Sequence, residues 1–201
     1  MGPRIAVIIL VGFALGRLAA NPPSRERIAQ LYENGLVGDR EAVEECITAL
    51  ETALRANPDN QLARVYLGSS YTLRSRDLGF GPKKLAALRE GVATMNAAVK
   101  AAPEDAKIRL VRALTLHALP GFLGHKKTAR GEFFALAHLI EEHPEKLSAN
   151  DRQTVFLQAG KIAFAANDKA TALAFWRRGS AIAADNKMST ELRALLAKNG
   201  S

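Results

Sequence analysis

Apolar residues in this chain recur three and four positions apart, the spacing that lays them along one face of an α-helix, and no run alternates strictly over more than a few residues. The pattern predicts helices and no strands. It also repeats. Two packing positions four residues apart hold Cys46 and Leu50, then Gly91 and Met95, then Glu132 and Leu136, then Ala172 and Trp176. Each pair is followed by a helix-ending turn, in order Asn57-Pro58-Asp59-Asn60, Ala102-Pro103-Glu104-Asp105, His143-Pro144-Glu145 and Ala184-Asp185-Asn186. The first packing position always stands twelve residues before its breaker, and the breakers are 45, 41 and 40 residues apart. Such self-similarity marks an array in which each unit buries its apolar face against the next. The expected elements are a degenerate first unit over 27–57, hairpins over 61–102, 106–143 and 150–183, and a solvating last helix over 189–198.

The first helix of the second copy carries Leu67-Gly68-Ser69-Ser70-Tyr71, just after Pro58. The fourth copy carries Ala159-Gly160, a turn at Asn167-Asp168, then Ala172, Trp176 and Gly179. These residues resemble the signature of the tetratricopeptide repeat (TPR): L-G-x-x-Y on a first helix, then a small residue and an aromatic on the second. The resemblance covers residues 27–199, is plain in copies two and four and weak in copy one. It implies an all-α solenoid of TPR-like helical hairpins that binds other molecules without catalysis. Small residues fit that fold, because two helices approach closely only where side chains are minimal and a large neighbour fills the gap beside them.

One departure from the family is length. The spacings of 45 and 41 residues exceed a unit of about 34 by eleven and seven, so copies two and three are expected to carry long loops within their hairpins. The extra segments are alike: Gly79-Phe80-Gly81-Pro82-Lys83-Lys84 and Gly121-Phe122-Leu123-Gly124-His125-Lys126-Lys127. Equivalent loops of a solenoid emerge on one edge, which would group Phe80, Lys83, Lys84, Phe122, Lys126 and Lys127. Both lysine pairs are expected to open second helices, where the helix dipole disfavours cations. Two readings follow. Lysines beside free backbone N–H groups form an anion site, or glycine and proline make turns while lysine keeps the edge soluble. The two phenylalanines likewise either plug their own loops or meet a partner.

Composition narrows the class more than it names a function. With 201 residues, 48% hydrophobic and 24% charged, the chain suits one globular domain with few aromatics. Residues 1–20 read differently. Arg4 precedes an apolar run from Ile5 to Leu15, and Leu18-Ala19-Ala20 offers small residues for cleavage before Asn21. This is the pattern of a secretory signal peptide, with an uncleaved N-terminal anchor as the alternative. The run of twelve uncharged residues before Arg17 falls short of the roughly 20 that span a bilayer. Residues 21–26 then form a linker to a repeat domain over 27–201, and the expected location is periplasmic or secreted. The single cysteine, Cys46, occupies a small packing position and reads as a buried hydrophobe rather than a reactive thiol or a lipid-attachment site.

Net charge is +8, and loss of Arg4 and Arg17 with residues 1–20 leaves +6. That favours anionic partners or membrane surfaces over nucleic acid, for which the sequence shows no module of interleaved aromatic and basic residues. First helices line the concave face of such an array, and a helical projection places Ser69, Thr72, Lys107, Leu110, Leu114, His117, Leu157, Lys161 and Phe164 near it. An extended peptide or amphipathic helix with acidic groups would suit this mixture. Chemistry is scarce. No H-E-x-x-H, G-x-S-x-G or phosphate-loop motif occurs, Gly79-Phe80-Gly81 lacks the strand that a dinucleotide fingerprint needs, and His138 with Glu142 has the spacing of a surface contact. The sequence therefore implies no enzyme, cofactor or metal site. It leaves two function classes: an exported interaction module that holds a protein partner in an envelope complex, and a transport-accessory or small-ligand protein whose repeats enclose a pocket.

Overall fold

The computed structural model describes residues 24–184 and 187–200, and these fold as nine α-helices with no strand. Four hairpins follow one another: α1 (Arg25–Leu36) with α2 (Arg40–Ala56), α3 (Gln61–Asp77) with α4 (Pro82–Ala101), α5 (Ala106–Ala118) with α6 (Lys126–Glu142), and α7 (Ala149–Ala165) with α8 (Lys169–Ser180). A last helix, α9 (Lys187–Asn199), buries Leu192 against α7 and α8 and closes the stack. The first unit is a complete hairpin, with Leu31, Val43, Ile47 and Leu50 in its core. The expected signal peptide or anchor and residues 21–23 of the expected linker lie outside the described residues, while Ser24 caps α1 and Arg25 and Glu26 open it.

Most helices start where an oxygen-bearing side chain can take up a free N–H group of the first turn. Ser24, Asp39, Asn60, Asp105, Ser148 and Asp168 each accept such a hydrogen bond, for α1, α2, α3, α5, α7 and α8 respectively. The breaker turns of the sequence thus end one helix and cap the next. Asn60 and Asp105 come from the Pro58 and Pro103 turns, and Ser148 follows a short 3-10 turn over Pro144–Lys146.

The repeating pair of packing positions is the core. Cys46, Leu50, Met95, Leu136, Ala172 and Trp176 are all buried. In the second hairpin a Cβ added at Gly68 would lie 2.7 Å from the Gly91 carbonyl oxygen, and one at Gly91 would lie 2.6 Å from that of Gly68. Contact at backbone distance is possible only without side chains, which is why glycines face each other there. In the fourth hairpin a Cβ on Gly160 would overlap the Trp176 ring, whose Nε1–H donates to the Leu157 carbonyl at 3.3 Å. The third hairpin solves the position differently. Glu132, where the other copies have Cys, Gly or Ala, is largely covered and pairs with Arg109 at 2.7 Å and with Arg112, both from α5. A charge-assisted bridge replaces close apolar approach.

First helices run parallel and in step. Tyr32 of α1 hydrogen-bonds Ser69 of α3 at 2.8 Å, Ser69 bonds Thr115 of α5 at 2.8 Å, and Lys107 near the start of α5 pairs with Asp151 near the start of α7 at 2.7 Å. All four turns within hairpins therefore lie along one edge of the stack, and the breaker turns lie along the other. The Arg76 guanidinium at the end of α3 donates to the Gly35 carbonyl at the end of α1 at 3.0 Å, tying two turns of that edge together.

The insertions differ from the expected long loops. Copy two connects its helices by only four residues, Leu78 to Gly81, and its extra length sits in α3 and α4, of 17 and 20 residues. Pro82 opens α4 with its φ already helical, and the Lys83-Lys84-Leu85-Ala86-Ala87-Leu88 run propagates it, so those residues are taken from the loop. Copy three keeps a seven-residue connection with a 3-10 turn at Gly121–Leu123.

Candidate functional site

The predicted groove divides. Ser69, Thr72, Leu110 and Leu157 are buried: Ser69 between first helices, Thr72 against Gly91 of α4, Leu110 in the core of the third hairpin and Leu157 in the cluster with Ala172, Trp176 and Leu192. Ser69 sits in the hydroxyl chain with Tyr32 and Thr115, where burial pushes the Tyr32 phenol up to about 12 despite the bond from Ser69. Leu114 is half-buried against the third hairpin's core. Lys107 is spent on Asp151 and leaves 37% of its side chain exposed. His117, Lys161 and Phe164 remain accessible, with the Phe164 ring tilted over Trp176 at 5.6 Å between centroids.

Three helices then bring together residues that the sequence assigned to separate surfaces. His117 at the end of α5, Lys126 and Arg130 on the first turns of α6, and Lys161 on α7 line an open cleft of about 260 Å³ floored by Ile162 and Ala165. The His117 ring stands edge-on to Phe133 at 5.8 Å. Partial burial, then the charges of Lys126 and Lys161, hold its pKa below the ordinary histidine value. Lys161 is steadied by Glu191 at 2.5 Å and Arg130 lies 5.3 Å over the Phe134 ring. The half-walled cleft is mostly apolar with a basic rim, where Lys161 is shared with Glu191 and Arg130 makes no ion pair among the described residues; such a rim beside a neutral imidazole suits a carboxylate or another oxyanion, and binding one would favour protonation of His117. Arg130 is not among the residues the sequence pattern singled out. Its signal is the i, i+4 spacing from Lys126, which puts both on one face of α6.

The lysine pairs open α4 and α6, and these two helices lack any side-chain cap. One lysine of each pair has a local task. Lys84 Nζ donates to the Leu78 carbonyl at 3.2 Å and the Arg76 carbonyl at 3.4 Å, and Lys126 Nζ donates to the His117 carbonyl. Both satisfy carbonyls at the end of the preceding helix, where the dipole is negative. Lys83 and Lys127 are exposed and make no ion pair among the described residues. Phe80 is 100% exposed and Phe122 88%, so neither ring plugs its own loop.

Among the described residues no group of three or more His, Cys, Asp or Glu is placed to hold a metal ion, and no helix is long and apolar enough to cross a membrane. Cys46 is buried, and loss of hydration raises its thiol pKa, partly offset by the Ser70 hydroxyl.

Serial hairpins, in-step first helices and small-against-large packing define a TPR-like α-solenoid. The same fold is seen in the crystal structure of a thermophilic TPR protein from Thermus thermophilus, with a TM-score of 0.62 over 89% of this chain and 82% of that one, at 17% identity. No family model and no curated protein sequence matches the chain.

Proposed function

We propose that this protein is an exported, non-catalytic interaction module that holds a protein partner in a cell-envelope complex through an acidic group seated in the His117, Lys126, Arg130 and Lys161 cleft. The convergence of those four residues from three helices is the observation that carries the reading. The cleft is open and smaller than the roughly 300–1,000 Å³ of enclosed small-molecule sites, which favours a side chain or chain terminus of a macromolecule over a captured metabolite. The sequence of residues 1–20 supports export, and the TPR-like scaffold supports a protein as the partner.

The test is recovery of partners from envelope fractions on the immobilised protein across a salt series, beside an Arg130→Gln, Lys161→Gln variant. The proposal expects a partner whose recovery falls with salt and falls further with the double substitution. Equal recovery on both proteins at every salt concentration contradicts it. Export is checked separately by N-terminal sequencing. Mature protein from the envelope should begin at or near Asn21, intact Met1 in membranes would select the anchor, and intact Met1 in a cytoplasmic pool would overturn export.

A further inference from the structure

The most exposed large apolar side chains gather at one edge of this molecule, Leu62 near the start of α3 being the exception at the other. Val37 is 88% exposed in the first hairpin turn, Phe80 and Phe122 are at the tips of the second and third, and Leu85, 44% exposed, is on the first turn of α4. All lie on the hairpin-turn edge. Beside them stand Lys83 and Lys127, exposed and without ion pairs among the described residues. The breaker turns are more acidic, with Asp59, Glu104, Asp105 and Glu145 exposed beside Lys146, while the turns that carry Phe80 and Phe122 contain no acid and the exposed Asp39 and Asp168 of the hairpin-turn edge belong to copies one and four.

We propose that the hairpin-turn edge docks on an anionic lipid bilayer, with Phe80 and Phe122 inserted at the headgroup boundary and the lysines against lipid phosphates. Three features favour a bilayer over a protein surface. The rings stand on separate turns and form no contiguous patch, so each would need its own pocket on a protein, whereas a bilayer accepts protruding side chains wherever they fall. Lysines flank both tips, as surface attraction to acidic lipid requires. The acidic breaker edge would be repelled by the same lipid, which fixes the orientation. The cleft adjoins this edge through His117 and Lys126, which flank the Phe122 turn, so the two readings are separated by variants that touch one surface only: Arg130 and Lys161 for the cleft, Phe80 and Lys83 for the bilayer.

The native tryptophan reports nothing of this edge, because Trp176 is 1% exposed in the core. Phe80→Trp and Phe122→Trp in the full chain therefore place a reporter at each tip, and Leu62→Trp, at the 38% exposed Leu62 near the start of α3, places a control at the opposite edge. With vesicles of phosphatidylglycerol and phosphatidylcholine at about 3 to 7, emission of both tip reporters should shift to the blue and be quenched by brominated lipid. The Leu62→Trp signal should show no shift of its own beyond that of the parent. Each of Phe80→Ser and Phe122→Ser should lower vesicle partitioning of this edge by about tenfold, and Lys83→Gln with Lys127→Gln should remove most of its salt dependence. Tip reporters that keep water-exposed emission while the chain is on the vesicle would overturn the proposal, since residues 1–20 alone would then be holding it. A blue shift that appears with zwitterionic vesicles as strongly as with anionic ones, or only on adding envelope protein without lipid, would also overturn it, the latter in favour of a protein partner.

Discussion

The two edges of this solenoid are built from the same kind of segment, a short turn between helices, yet they are built to different ends. At the breaker edge α3, α5 and α7 begin with Asn60, Asp105 and Ser148 as caps. At the hairpin-turn edge of copies two and three, α4 and α6 start with no side-chain cap, cations stand at the positive end of the helix dipole, and phenylalanine is left in water. The hairpin turns of copies one and four show that this is not a demand of the fold, because Asp39 and Asp168 cap α2 and α8 on that same edge. A choice against local stability, confined to two matching insertions, points to what the surface meets rather than to how the chain folds.

Edges that can differ this much must both be peripheral to a stability resident in the core. Trp176→Ala should therefore outweigh every edge substitution, costing about 3–5 kcal/mol in denaturant unfolding. A loss below about 1 kcal/mol would mean that the fourth hairpin is not the packing anchor. Removing a breaker-edge cap, Asn60→Ala, should cost about 1 kcal/mol, and its measured effect sets the scale for what α4 and α6 forgo. The lysines should split within each pair. Lys84→Gln and Lys126→Gln should destabilise by a few tenths of a kcal/mol through loss of the carbonyl contacts, while Lys83→Gln and Lys127→Gln should leave the melting temperature level or slightly higher. Four equal effects would dissolve the distinction between a capping lysine and a displayed one.

The smallest expected effect concerns His117. Its pKa is depressed in the folded protein from the ordinary histidine value of 6.5, so the unfolded chain binds the extra proton first as pH falls. Stability from this residue is complete above about pH 6.5 and declines as pH drops through the lowered folded value. His117→Gln should flatten that part of the pH profile, and an unchanged slope would place the imidazole in water. An oxyanion in the cleft opposes that bias, so partner recovery should rise as pH falls below the ordinary histidine value.

Much of the fold was legible because its determinants are local and repeat. Cys46, Gly91, Ala172 and Trp176 announce their roles by size alone, and the breaker turns contain their own caps. The candidate surface was less so. One position around a helix is a large rotation, which is enough to bury Ser69, Thr72, Leu110 and Leu157 among neighbouring helices while leaving Lys161 and Phe164 accessible. Glu132 stands in a small-residue position, and its two arginine partners on α5, distant in sequence, are what make it fit. The capping role of Lys84 and Lys126 depends on carbonyls six to nine residues away, across turns whose path no periodicity specifies.

Hydrogen exchange on the full chain, free and with anionic vesicles, tests the contrast between the edges most directly. Amides in the first turns of α4 and α6 should exchange faster than those of the capped first turns of α3 and α5 in the free protein, and should be selectively slowed on the vesicles. Equal protection of all four first turns in the free protein, or slowing that falls on α3 and α5 instead, would contradict the account.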